Sequence, residues 1–121
     1  MEFNSQIPIF VQIANLVIDE VLERKLKPND RIPSVRDLAT QVQVNPNTVM
    51  RSFAYLQDQE VIYNQRGIGY FISDDAFTKA LETRRKEFVE TFLPELSKKM
   101  QLLNIDGPEL LDLINRQQHG I

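Results

Sequence analysis

Apolar residues recur along this chain with two different periods, and the switch between them divides it into elements. Phe10, Ile13, Ala14, Val17, Ile18 and Val21 fall at three- and four-residue spacing, which puts them on one face of a helix over residues 7–24. Pro8 suits the first turn of that helix, where a missing N–H costs nothing. Pro28, Asn29 and Asp30 then supply turn chemistry. Pro33 disfavours helix at Ile32, so residues 31–33 read as a short extended piece. Ser34 has the hydroxyl of an N-cap, able to accept from Asp37 or its neighbour. The helix it opens, residues 35–43, buries Val35, Leu38, Ala39 and Val42. A tight turn at Val44 and Asn45 follows. Asn45 is a second N-cap, Pro46 takes the first helical position, and a third helix runs to residue 59 with Val49, Phe53 and Leu56 inward.

The period then shortens. Residues 61–65 and 68–72 are two β-rich runs around Arg66-Gly67, the pattern of a hairpin. Helical spacing returns over residues 75–103 through Phe77, Leu81, Phe88, Phe92, Leu96, Met100 and Leu103. Pro94 interrupts this run and predicts a kink or break near Phe92 and Leu93. Asp106 can cap a last helix, with Glu109 three residues on as in a capping box. Leu110, Leu111, Leu113 and Ile114 form its apolar face. Two short helices, a tight turn and a hairpin describe a winged helix-turn-helix. The expected fold is therefore mainly α (α+β): a winged helix-turn-helix over residues 1–74 with a C-terminal two-helix dimerisation extension over 75–121.

Composition narrows the function. The 121 residues are 42 % hydrophobic and 26 % charged, a balance suited to one small soluble domain with an appendage. There is no cysteine, which excludes disulfides and thiolate metal sites. No apolar run approaches the roughly 18 residues needed to cross a bilayer, and the N-terminus lacks signal-peptide character. A cytoplasmic protein without membrane association is expected. The net charge of −3 argues against a non-specific nucleic-acid coat. Residues 31–72 differ from the whole: Arg31, Arg36, Arg51 and Arg66 stand against Asp37, Asp58 and Glu60, a net +1.

An enzyme does not fit the inventory. The single histidine, His119, lies two residues from the C-terminus, no carboxylates cluster, and no phosphate loop or nucleophile elbow occurs. No cofactor or metal is expected. Sequence reading, by contrast, needs a helix in the major groove with side chains that reach base edges. The third helix carries Asn47, Arg51, Ala54 and Tyr55 opposite its apolar face, with Thr48 at the edge. Arg51 suits guanine, and Asn47 suits adenine or a phosphate. Thr48 suits phosphate; Tyr55 suits either phosphate or packing. Asn45, Ser34 and the N–H groups near Ser34 complete the contact candidates on the two helices. In the hairpin, Gln65, Arg66 and Gly67 form a tip able to enter the minor groove or clamp the backbone.

The segment from Leu26 onward resembles the GntR family of bacterial transcription regulators. It carries Lys27-Pro28-x-Asp30-Arg31-Ile32-Pro33-Ser34-x-Arg36-x-Leu38-Ala39, then Val44-Asn45-Pro46-Asn47-Thr48-Val49, then Gly67-x-Gly69. The middle motif and the short tail are similar to the YtrA subfamily. The resemblance implies a DNA contact for Arg36, no large ligand-binding domain, dimerisation through the C-terminal helices and repression of transporter operons. It implies as partners a double-stranded DNA operator with an inverted repeat, a second copy of the chain, and an unidentified small-molecule effector. The dimer candidates are Leu81, Phe88, Phe92, Leu96, Met100, Leu103, Leu110, Leu113 and Ile114, a stripe that could instead fold back within one chain. Arg24, Asn29 and Glu60 stand where the family usually has glycine, at helix ends or turns that favour positive φ. Slightly altered helix ends are expected there. The competing functional reading is a winged-helix module that binds protein and no operator.

Overall fold

The computed structural model describes residues 7–118. Contacts divide the chain into two compact units, Met1–Arg84 and Arg85–Ile121. The first comprises α1 (Ile9–Leu22), α2 (Val35–Val42), α3 (Pro46–Asp58), β1 (Ile62–Gln65), β2 (Gly69–Ile72) and most of α4 (Ala76–Glu87). The second carries a π-helical turn (Phe88–Phe92), α5 (Leu93–Leu103) and α6 (Gly107–Gln118).

The core of the first unit is built from the stripes the sequence displays. Ile13, Ala14, Val17, Ile18 and Val21 of α1 cluster with Leu38 and Ala39 of α2 and with Val49, Phe53 and Leu56 of α3. Val61, Ile62 and Ile72 close it from the hairpin. The hairpin pairs Ile62 with Ile72, Tyr63 with Phe71, Asn64 with Tyr70 and Gln65 with Gly69. The extended piece before α2 lies along β2. Ile32 donates its N–H to the Tyr70 carbonyl at 3.0 Å, and Ile72 donates to the Asp30 carbonyl at 2.9 Å. Ala76, Ala80 and Thr83 of α4 are also buried. The compact unit thus extends past the hairpin to Arg84.

Three boundaries differ from expectation. Pro8 stands just before α1 as its N-cap residue, and its carbonyl accepts from Val11 and Gln12. The second helix ends at Val42, because Gln43 turns left-handed at φ 57°. Pro94 causes no break near Phe92 and Leu93. Lacking an N–H, it removes one α-type bond, and the chain answers with the wider turn upstream, where Leu93 donates its N–H to the Phe88 carbonyl. Elsewhere the caps are as expected. The Asp37 N–H donates to Ser34 Oγ at 3.1 Å, and the Glu109 N–H to Asp106 Oδ1 at 2.8 Å.

Arg24, Asn29 and Glu60 all hold positive φ, at 64°, 69° and 62°. The backbone keeps the geometry that glycine favours, so the ends are not rebuilt around the new residues. A side chain there costs about 1 to 2 kcal/mol, less for asparagine. Each of the three reaches the segment that opens α4. The Arg24 guanidinium lies 3.7 Å above the Phe77 ring centroid. Asn29 Nδ2 donates to Asp74 Oδ1 at 3.0 Å and its Oδ1 accepts from the Tyr63 hydroxyl at 2.9 Å. Glu60 Oε2 lies 3.1 Å from Lys79 Nζ. The hydrogen bond and the charge of Glu60 hold the Lys79 ammonium above its ordinary pKa.

These geometries separate strain from contact at Glu60. Glu60→Gly removes both and is expected to raise stability by about 0.5 to 1 kcal/mol, since relief of the left-handed strain exceeds the added freedom of the unfolded chain. Glu60→Ala keeps the strain and loses the ion pair, so its denaturation midpoint should fall below wild type. Urea titrations of the two variants check the sign of each change.

Candidate nucleic-acid interface

α2 and α3 form the helix-turn-helix, joined by a three-residue turn whose first member is the left-handed Gln43. The Val44 N–H donates to the Ala39 carbonyl at 3.1 Å, which closes the turn. Asn45 then starts α3, accepting the Asn47 N–H on its side-chain oxygen at 2.8 Å. This places the Asn47 side chain in the first turn, exposed. α1 packs behind α3, and α2 packs beside it.

Most of the sequence candidates are accessible. Ser34, Arg36, Asn45, Asn47 and Arg51 are exposed, as are Gln65, Arg66 and Gly67 of the hairpin tip. Thr48 and Tyr55 are half-buried on the side of α3 that meets α1. Ser34 and Asn45 also spend a side-chain oxygen on capping. Arg51 has a neighbour that the sequence does not announce: its guanidinium carbon lies 4.4 Å from the ring centroid of Phe10 on α1. Tyr55 meets the same ring edge-on, at 6.0 Å between centroids.

Four further residues bear on this face. Met50 is 57 % exposed, between Asn47 and Ala54 on the outer side of α3. Ser52 sits in the buried face of α3, fully enclosed, with its hydroxyl on the Phe10 carbonyl at 2.7 Å and on the Thr48 carbonyl at 3.1 Å. A serine between Val49 and Phe53 on an apolar face is the one sequence signal for that link. Arg31 supports the wing by donating from Nη2 to the Ile68 carbonyl at 2.6 Å. Gly69 makes that approach possible. Its φ is 151°, and a Cβ there would lie 3.0 Å from Arg31 Nε. Gly67 at the tip has φ 78° and open space around it.

The dimer candidates lie on α4, the π-turn, α5 and α6. Leu81, Phe88, Phe92, Leu103, Leu113 and Ile114 are exposed, and Leu96, Met100 and Leu110 are half-buried. Phe88 and Phe92 stack on each other with centroids 5.2 Å apart. No described residue of α5 or α6 is buried. Among the described residues no group of three or more histidine, cysteine or acidic side chains could hold a metal. No described helix is long and apolar enough to cross a membrane. His119 lies outside the described residues.

Known proteins share this arrangement. The family model for bacterial regulatory proteins of the gntR family matches residues 10–72, which is α1 through β2. The chain is 30 % identical over 119 residues to an HTH-type transcriptional regulator, YhcF, of Bacillus subtilis, covering 98 % of this chain and 97 % of that protein. It is 40 % identical over 78 residues to the HTH-type transcriptional repressor YtrA of the same organism, covering 64 % of this chain and 60 % of the repressor. A solved GntR family transcriptional regulator from Listeria monocytogenes superposes with a TM-score of 0.73 at 27 % identity, covering 94 % of this chain and 98 % of its own.

The two wing glycines should respond differently to alanine. Gly67→Ala meets nothing and should cost about 1 kcal/mol from left-handed strain alone. Gly69→Ala adds a collision with Arg31 to a backbone that side chains rarely adopt, for about 1 to 3 kcal/mol. Equal losses in thermal denaturation would show that Arg31 does not crowd the wing.

Proposed function

This chain belongs to the GntR family of bacterial regulatory proteins, DNA-binding regulators of transcription, and from that premise we propose a homodimeric repressor that occupies an inverted-repeat operator. The carrying observation is the exposure of Arg36, Asn47, Arg51 and Arg66 on three neighbouring elements: α2, α3 and the hairpin tip. α3 enters the major groove. Arg36, at the second position of α2, contacts DNA beside it. Ser34 and Asn45 hold the first turns of both helices in place and, with Thr48, face phosphates. The wing, carrying Gln65, Arg66 and Gly67, reaches the backbone or the adjacent minor groove.

Charge supports the need for two copies. Residues 31–72 carry a net charge of only +1 on a chain of −3, so one head has little counterion-release grip on DNA. A second head doubles the contacts and restricts binding to sites with the matching spacing. The apolar side chains of the second unit give the pairing surface, because none of its described residues is buried, and a small helical unit without a core does not hold its own fold. Repression of a transporter-type operon follows the subfamily resemblance. Localisation in the cytoplasm follows from the proposed contact with the chromosome.

Selection of genomic DNA by the purified protein is expected to enrich one inverted repeat. Arg36→Ala should weaken operator binding about tenfold or more, a contact worth about 1 to 3 kcal/mol, while sedimentation still shows a dimer. Phe92→Glu should give a monomer at micromolar concentration. A pool without any enriched sequence overturns the operator reading, and a wild-type monomer overturns the role of the tail.

A further inference from the structure

We propose that Phe10 is a positioning residue for DNA binding: it seats Arg51 at the rim of the reading face, where the guanidinium grips the phosphate backbone and reads no base. The inference rests on the operator reading above and adds a residue of α1 to it. The central observation is the cation–π pair, with the Arg51 guanidinium carbon over the Phe10 ring, 4.4 Å from its centroid. An aromatic ring attracts a guanidinium without taking up its N–H donors as a carboxylate would, so they stay available to phosphate oxygens, which they can meet in pairs.

The platform is itself fixed. The Phe10 carbonyl receives the hydroxyl of Ser52, which is fully buried, so the start of α1 is tied to the middle of α3. The Tyr55 ring meets Phe10 edge-on and borders the seat from the next turn. Arg51 lies between Thr48 and Tyr55 along α3, and both of those are half-buried on the α1 side. A side chain drawn toward α1 leaves the centre line of the helix, which follows the groove floor. It meets instead the groove wall, and the wall is phosphate. Asn47, Met50 and Ala54 remain on the outward face, all exposed. The Met50 side chain, apolar and open, suits a thymine methyl.

Base reading and phosphate gripping have different signatures, and the test uses both. Affinity is measured for the enriched operator and for a scrambled duplex of equal length across a salt series. Arg51→Ala is expected to weaken both duplexes by the same factor, roughly three- to tenfold. The salt slope should fall by about one, with the preference between duplexes unchanged. Phe10→Leu should reproduce this pattern, Phe10→Tyr should restore wild-type binding, and Phe10→Leu should add nothing in an Arg51→Ala background. A change in preference on Arg51→Ala identifies a base reader and overturns the proposal. So does a Phe10→Leu variant that binds as wild type, or one that weakens the Arg51→Ala protein further.

A second measurement needs no DNA. The Arg51 Hε resonance in the free protein should be shifted upfield by the Phe10 ring and return toward its ordinary position in Phe10→Leu. An unchanged resonance removes the seat. A wild-type protein that binds both duplexes equally would end the operator reading, while the paired affinities would still uphold or overturn the grip itself.

Discussion

Everything on the proposed reading face depends on how α3 is held from behind. Ile13, Ala14 and Val17 of α1 are buried in the same cluster as Val49, Phe53 and Leu56 of α3, and close packing of that kind fixes the rotation of a helix about its axis. Ser52 adds a directional element to an otherwise non-directional contact. Its hydroxyl joins the two helices at the Phe10 carbonyl, inside the core. An apolar seam tolerates small slips, whereas a hydrogen bond across it holds only over a narrow range of distance and angle; without it the hydroxyl keeps just the Thr48 carbonyl of its own helix. The angular positions of Asn47, Met50 and Arg51 follow from this seam.

A second constraint runs through three left-handed residues. Arg24 closes α1, Glu60 follows α3, and Asn29 occupies the turn before α2. Glycine would relieve the backbone at each, yet each side chain finds a partner at the head of α4 or just before it: Phe77, Lys79 and Asp74. Two further contacts lie along the same helix. Thr83 donates its hydroxyl to Gln59, and Arg84 pairs with Asp19. Local strain is thus exchanged for attachment of α4 to the winged unit. That exchange explains why the compact unit ends at Arg84, twelve residues past the last strand residue, Ile72.

Much of this was legible in the sequence, and the reasons are local. Stripe spacing located the helical segments among the described residues, though it did not separate α4, the π-turn and α5. Ser34, Asn45 and Asp106 announced helix starts because a capping oxygen acts within three residues. Asn29, Arg24 and Glu60 were readable as positive-φ sites only because glycine usually stands there in relatives. What stayed hidden was long-range. The Phe10–Arg51 pair joins residues 41 apart in the chain, and Phe10 reads as one more member of an apolar stripe. The support of the wing by Arg31 likewise spans 37 residues. The π-turn stayed hidden for a different reason: a missing N–H at Pro94 permits several backbone answers, a kink, a break or a wider turn, and the sequence does not choose among them.

That π-turn alters how the stripe beyond it should be counted. In a regular α-helix, a step of four residues overshoots a full turn by about 40°. Phe88, Phe92, Leu96 and Met100 make three such steps, which would carry the stripe by about 120° around an unbroken α-helix. A wider turn over Phe88–Phe92 absorbs part of that rotation within its own length. The segment therefore behaves as an α-helix that has taken in one extra residue. Aligned against a chain whose helix lacks the bulge, it should match only with a one-residue gap near residues 88–92, and an alignment without that gap would set apolar positions against polar ones all the way to Leu103.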